Sequence, residues 1–387
     1  MIRALLVDDE PPARMRMRQL LDAVGDITVV GEAGNAEEAR ELIRSTKPDL
    51  LFLDVEMPEV RGTALAASLP EPRPFIVFAT AFDNYALDAI AVDATDYLLK
   101  PVSRAKLALT LARVRSRLAA QTVERDIVAA TKVQSHMWPG SLPRIDGFDC
   151  AAASLPARGV GGDFYDVFQI SGASGASGAS GASGASGATW GVLLGDASGK
   201  GVAAGLVASA VQARVHTAAR LAHLGPEALM AAVDRDMHAT TDGARYATGI
   251  YGVLDAAASH LTLVNAGHPS VIVLSAEGNG MLGATGPALG LVECGTFASH
   301  SVTLAPGTML VAYTDGVNEA LNEAGDEFGE QQLVELLQHL RNAAAAEVCA
   351  AVLDTVRRHR GSRQDQDDVT VMVVKSGVGS GEWGVRD

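Results

Sequence analysis

In the first hundred residues, polar side chains sit where short apolar runs stop. Asp8, Asp9 and Glu10 follow IRALLV, Asp54 closes DLLFLD, Thr80 closes FIVFAT and Lys100 closes DYLLK. If those runs are parallel strands, their carboxyl ends open on one crevice, where open α/β sheets bind ligands. Carboxylates gathered there repel one another unless a hard divalent cation such as Mg2+ lies among them, and such a cation orients a phosphoryl group for transfer to a carboxylate. A lysine and a hydroxyl beside it would hold the phosphoryl oxygens. Any one of these acids alone reads better as a helix cap. Six such residues at four strand ends are not explained that way.

A second set of acids lies among glycines further on. These are GGDFYDV (Asp163, Asp166), LLGDASGKG (Asp196), VAYTDGVNEA (Asp315) and DQDDVTVMVV (Asp365, Asp367, Asp368). Each borders a β-rich run, and an adjacent glycine lets a backbone carbonyl approach a cation as closely as a carboxylate does. An Asp-Gly or Asp-Asp pair beside a strand is by itself an ordinary turn. Four of them suggest one assembled site. Oxygen-only ligands suit Mg2+ or Mn2+, and two such cations can activate water for in-line attack on a phosphate ester.

The elements that must position these residues follow from periodicity. Five strand-like runs (IRALLV, ITVVGEA, DLLFLD, FIVFAT, DYLLK) alternate with helix-like segments, the pattern of a parallel sheet covered by helices. One helix is PPARMRMRQLLDAV, with Met15, Met17, Leu20 and Leu21 apolar; another opens on the cap residue Asn35. Leu107, Leu111, Val114 and Leu118 form either a coiled-coil seam or the core face of a last helix. Apolar residues return on a different face at Val123, Ile127, Ala130 and Met137, and no Pro or Gly interrupts residues 102–138, so one continuous helix is expected. Residues 172–188 read GASGASGASGASGASGA, a spacer with nothing to bury, expected as a disordered loop in place of a hairpin turn. Residues 200–240 supply two Ala-rich helices.

VDDE, FLDVEMP, ATAF and LLKP resemble the receiver domain of two-component response regulators over residues 1–118. The resemblance implies a flavodoxin-like (βα)5 fold with Asp54 as phosphoacceptor and Asp8, Asp9 and Asp54 holding Mg2+. It also implies Thr80 and Lys100 on the phosphoryl group, Tyr97 as the switching aromatic, a cis Lys100-Pro101 peptide and a sensor histidine kinase as partner. The stretch FATAFDNYALDAIAVDATDYLLKP is most similar to receivers joined to LytTR DNA-binding domains, yet no basic helix or ribbon follows that would support DNA binding.

The order of the second set, with SHMWPGSLPRIDGFDCAAASLPARGVGGDFYDVF and NAGHP (Asn265 to Pro269), resembles PPM (PP2C-like) Ser/Thr phosphatases of the SpoIIE and RsbU branch. This implies an αββα sandwich and two Mn2+ or Mg2+. Asp196 would bridge both, Asp315 and Asp367 would complete one, and Asp163 with the Ala197 carbonyl would serve the other. Ala197 stands where Val is frequent and Gly159 where Glu is common. His268 is expected to brace a turn. The cluster Arg357, Arg358, Arg360 and Arg363 reads as cations at a helix C-terminus.

Of the 387 residues, 48% are apolar and 20% charged, and the net charge of −15 disfavours nucleic acid and anionic membranes as partners. Residues 1–118 carry 15 basic and 18 acidic side chains against 16 and 28 in the remainder. Cys150, Cys294 and Cys349 have neither disulfide nor zinc spacing, and no export signal is visible, so a cytoplasmic protein is expected. The expected organisation is a receiver (1–118), a helical or coiled-coil linker (119–140), a phosphatase domain (141–376) and a flexible tail (377–387). The expected function is a response regulator whose output is dephosphorylation of phosphoserine or phosphothreonine on a protein, a STAS-domain anti-anti-sigma factor being the substrate the resemblance implies, with a homodimer formed through the linker. The alternative is a phosphorylation-controlled adaptor that binds without turnover.

Overall fold

The computed structural model describes residues 1–81, 93–157, 159–171, 188–222, 224–241, 243–363 and 367–377. The chain divides into two compact units, Met1–Arg125 and Asp126–Asp387.

The first unit has β1 (Ile2–Val7), β2 (Ile27–Ala33), β3 (Leu50–Leu53), β4 (Phe75–Thr80) and β5 (Asp96–Leu99) in one sheet ordered β2-β1-β3-β4-β5. Every pairing is parallel. Successive side chains leave opposite faces of a strand. Ala4 and Leu6 therefore join Leu50, Phe52 and Val77 beneath Met17, Leu20 and Leu21 of the helix Pro11–Asp22. Leu5 and Val7 join Leu51, Leu53, Ile76 and Phe78 against Ala36, Ala39, Leu65 and Ala66 on the other face. Burial on both faces is why β1, β3 and β4 read as unbroken apolar runs. Met15 departs from the expected apolar face of its helix and is 62% exposed. Asn35 caps the helix Ala36–Thr46, its Oδ1 accepting from the Glu38 N–H at 2.9 Å.

A single helix, Arg104–Met137, runs from the first unit into the second. Leu107, Leu111 and Val114 are buried in the first unit's core with Leu118 packed against it, so these positions are the core face of a last helix. Beyond them the apolar residues Val123, Ile127, Val128 and Val133 are exposed.

The second unit contains β6 (Phe148–Leu155), β7 (Asp163–Ser171), β8 (Thr189–Ala197), β9 (Ala247–Asp255), β10 (His260–Ala266), β11 (Val271–Ser275), β12 (Gly278–Leu282), β13 (His300–Thr303), β14 (Met309–Tyr313) and β15 (Val369–Ser376). They form two antiparallel sheets, β13-β10-β9-β8-β7 and β12-β11-β14-β15-β6. Period-two alternation builds three layers of core from them. Val192, Leu194 and Ile250 of one sheet meet Leu310, Ala312, Met372 and Val374 of the other. Leu193 and Tyr251 point outward to the helices Val202–Leu221 and Pro226–Thr241. Val311, Tyr313, Val371 and Val373 point outward to Gly329–His339 and Ala345–Arg360. The result is an αββα sandwich. β7 and β8 pair as antiparallel neighbours on either side of the Gly-Ala-Ser segment. Residues 172–187 of that segment and residues 378–387 of the tail lie outside the described residues, so the disorder expected of both is untested.

Candidate functional sites

The strand order reverses at β1, and there the first acids converge. One carboxylate oxygen from each of Asp8, Asp9 and Asp54 lies within 4.8 Å of the others, the one such three-acid group among the described residues. Asp8 and Asp54 are 7% and 6% exposed, whereas Asp9 is open to solvent. Lys100 Nζ lies 2.6 Å from both Asp8 Oδ2 and Asp54 Oδ2. Burial lifts the Asp8 carboxyl above its ordinary value against the pull of Lys100. Burial opposes the charge on Lys100, but the hydrogen bonds to Asp54 and Asp8 outweigh it and raise the pKa. Thr80 Oγ1 is buried with no hydrogen-bond partner among the described residues, and Tyr97 lies in β5. A cavity of about 620 Å³ is lined by Asp9, Asp54, Thr80 and Lys100 among others, roomy enough for a phosphoryl group. The Lys100-Pro101 peptide is cis, as expected. Acid trio, lysine and unpartnered hydroxyl fit a hard cation and a phosphoryl group together.

The second set is assembled from three regions of the sandwich. Asp163 begins β7 and Asp196 lies near the end of β8, and the two are Cα partners across the pair. Asp315 opens the short helix Asp315–Asn318 after β14, and Asp367 and Asp368 precede β15, the neighbour of β14. Asp163 is 2% exposed, and its Oδ2 accepts from Thr314 Oγ1 at 2.8 Å and Thr370 Oγ1 at 2.6 Å. Burial raises the Asp163 pKa, as do the charges of Asp368 and Asp315, while the two threonines oppose the rise. Asp196 is raised by burial and by all four neighbouring acids, Asp163, Asp315, Asp367 and Asp368. Asp315 is raised by burial and then by Asp367. Such a cluster favours bound positive charge, and Lys200 Nζ already lies 3.2 Å from Asp367 Oδ2.

Two glycines make the approach possible. A Cβ on Gly162 would stand 2.7 Å from Asp196 Oδ1 and 2.8 Å from the Ala197 carbonyl oxygen, so glycine keeps open a space lined by the two groups expected to meet a cation. A Cβ on Gly316 would stand 1.8 Å from the Asp368 carbonyl oxygen, which is why Asp315 is followed by glycine. The donor set is oxygen throughout and fits divalent Mg2+ or Mn2+. It is looser than the Asp8, Asp9 and Asp54 trio, since no three of its acids meet within 4.8 Å.

Other residues singled out in the sequence have different work. Asp166 takes the imidazole of His216 at 2.8 Å and is not part of the acid cluster; Asp365 lies outside the described residues. His268 braces a turn as expected, its N–H donating to Asn265 Oδ1 and its Nδ1 lying 2.9 Å from Thr248 Oγ1. Sequence reasoning missed Thr314, Thr370 and Gln134. Gln134 clamps Gly161, donating to its carbonyl at 2.7 Å and accepting from its N–H at 3.0 Å. Of these three, only Thr370, in DDVTV immediately after the acids, carried a visible signal. Asp368, singled out with the other acids, accepts from the N–H groups of Ala157 and Gly162.

Comparison with known proteins agrees with both halves. The response regulator receiver domain family matches residues 4–112, and the stage II sporulation protein E (SpoIIE) family matches residues 186–376. Asp163 lies before the second match, so its membership of the site rests on the geometry above. The transcriptional regulatory protein BtsR of Escherichia coli strain K12 is 48% identical over 124 residues, covering 32% of this chain and 52% of that protein. An uncharacterized response regulatory protein of Vibrio parahaemolyticus is 42% identical over 132 residues, covering 34% and 54%. The chain thus spans about half the length of the curated relatives it matches. Among solved structures, the SiaA-PP2C domain of Pseudomonas aeruginosa superposes with a TM-score of 0.54 at 22% identity, covering 66% of this chain and 98% of that one. The RsbU and RsbW domains of a Mycobacterium tuberculosis protein give 0.51 at 23%, covering 62% and 64%. These likenesses establish a PP2C-like fold. Among the described residues no helix is long and apolar enough to cross a membrane.

Proposed function

Starting from a response regulator receiver domain at residues 4–112 and a SpoIIE domain at residues 186–376, we propose that the chain is a response regulator whose output is metal-dependent dephosphorylation of phosphoserine or phosphothreonine on a protein. The observation that carries this is the acid cluster of Asp163, Asp196, Asp315 and Asp367 in a PP2C-like sandwich, where burial and then the neighbouring acids raise the pKa values of Asp196 and Asp315. Asp196, raised by burial and then by all the other acids, would be the ligand shared by the two cations. Asp315 and Asp367 would hold one of them, and Asp163 with the Ala197 carbonyl would hold the other. Two Mn2+ or Mg2+ bound there supply activation of water and neutralisation of phosphoryl charge.

The protein's own residues do the rest. Thr314 and Thr370 hold Asp163 in one rotamer, and Gly162 keeps the cation space open. In the receiver, Asp54 accepts a phosphoryl group from a sensor histidine kinase, with Asp8, Asp9 and Asp54 holding Mg2+ and Lys100 and Thr80 binding the transferred oxygens. Tyr97 reports the change. A phosphorylated STAS-type protein is the proposed substrate, and a homodimer through the exposed stretch of the Arg104–Met137 helix is the proposed assembly. Retention of all four acids favours turnover over an adaptor that binds without it.

The test is Mn2+-dependent hydrolysis of a phosphoprotein and of a generic aryl phosphate by wild type, Asp196→Asn and Asp54→Asn. Activity surviving in Asp196→Asn defeats the metal-site assignment. Equal wild-type activity with and without receiver phosphorylation defeats the control model.

A further inference from the structure

Four arginines cluster at the end of the helix Ala345–Arg360, and the fold separates one from the rest. Val348, Val352, Val356 and Arg360 follow at intervals of four, one stripe of a helix with 3.6 residues per turn. All three valines are 0% exposed and Arg360 is 8% exposed, so the stripe that fills the outer core ends on a guanidinium. Arg357 and Arg358 are off that stripe and make local contacts, Arg357 to Asp354 and Arg358 to the Asp354 carbonyl and Thr355. Arg363 reaches the carbonyl of Asn322.

The Arg360 guanidinium joins two segments that are far apart in the chain. Its terminal nitrogen donates to the carbonyl of Gly316 at 3.0 Å and to that of Asp367 at 2.9 Å. Gly316 follows Asp315, and Asp367 is itself the other acid assigned to the same cation position. Burial lowers the Arg360 pKa, and the nearby charges of Asp367, Asp368 and Asp163 oppose that loss. A buried arginine keeps its proton in a protein, so a fixed positive charge stands behind an acid cluster that otherwise repels itself.

We infer that Arg360 is a positioning residue of the metal site: by bonding the backbone of Gly316 and Asp367 it holds Asp315 and Asp367 at binding separation before any cation arrives. This rests on the phosphatase reading above and adds to it a residue outside the acid motifs. Arg360 touches neither cation nor substrate; it acts through the two carbonyls. Partners standing behind metal ligands in this way are worth about 10- to 100-fold in metal affinity.

The experiment is calorimetric titration of the full chain with Mn2+ alone, in an Asp54→Asn background that removes one of the receiver's three cation ligands, for the parent, Arg360→Met, Arg360→Lys and the control Arg358→Met, together with melting temperatures with and without Mn2+. Arg360→Met is expected to weaken Mn2+ binding by about 10- to 100-fold. Arg360→Lys keeps the charge but not the planar fork, and a smaller loss of about threefold is expected. Arg358→Met should bind as the parent does. At saturating Mn2+, turnover of an aryl phosphate by the Arg360 variants should return to near the parent's value, because affinity and not chemistry is what Arg360 supplies. A merely structural arginine would lower the melting temperature equally with and without Mn2+ and leave the Mn2+ affinity of the folded protein unchanged; that result overturns the inference. Should Arg360→Met fail to fold, Arg360→Lys decides, and the parent's affinity in it is overturning. A parent protein that takes up no Mn2+ overturns the phosphatase reading and this inference with it.

Discussion

Asp163 and Asp196 are Cα partners across the antiparallel β7–β8 pair, so two carboxylates separated by the Gly-Ala-Ser segment begin and end one hairpin at the same level of the sheet. Burial, and then the charges of Asp163 and its neighbours, raise the pKa of Asp196, and Asp163 holds its place because Thr314 and Thr370 both donate to its Oδ2. Hydrogen bonds to a carboxylate are worth about 1.5–3 kcal/mol each. Thr314→Val and Thr370→Val should each lower unfolding stability by about that amount, and the double variant by less than their sum because both serve one oxygen. Denaturant midpoints of the three proteins check this, and strict additivity would refute shared bonding.

Gly316 has no room for a side chain. Gly316→Ala would push a methyl group to within 1.8 Å of the Asp368 carbonyl oxygen. The displacement should cost about 1–3 kcal/mol in stability and reduce Mn2+-dependent turnover, since it moves Asp315 against Asp368. Gly280→Ala, where a Cβ meets nothing within 4 Å, is the matched control. Equal behaviour of the two variants in thermal unfolding and hydrolysis would contradict the packing.

Burial lowers the His268 pKa to about 3, with the Tyr313 backbone carbonyl, which favours a donating imidazole, working the other way. The unfolded chain takes a proton on this imidazole near its ordinary value of about 6.5, and the folded protein refuses it. The stability from the neutral imidazole is therefore complete above about 6.5 and is lost as pH falls from there towards 3. Relative to His268→Gln, wild type should lose about 1.4 kcal/mol per pH unit across that window. Urea midpoints at pH 7, 6 and 5 measure the difference, and parallel curves would show that His268 titrates normally.

Removing residues 172–187 should leave catalysis within tenfold of wild type. β7 and β8 keep their register by pairing from Asp163↔Asp196 to Ser171↔Thr189, so the described strand ends that flank the deletion are those remote from the acids. Loop closure cost changes slowly with length. A larger loss in aryl phosphate turnover would give the spacer a part in the site.

What could be read without the fold was whatever local order encodes. Strands β1, β3 and β4 were legible because burial on both faces of a parallel sheet demands unbroken apolar runs, and the polar residues at strand ends were legible because strand ends are where such sheets bind ligands. The same holds for Asn35, whose cap lies three residues from its donor. Leu107, Leu111 and Val114 were ambiguous, since a seam between two helices and a face on one's own sheet share a period; only packing chose the core. Arg360 was indistinguishable from Arg357, Arg358 and Arg363 as one of four basic residues. Its burial depends on which stripe of the helix meets the sheet, and its partners, Gly316 and Asp367, are brought there by the β14–β15 pairing. Thr314 and Gln134 were silent for the same reason. Each acts through a hydrogen bond to a segment remote in the chain, and no local pattern records a distance that exists only after the sheets have formed.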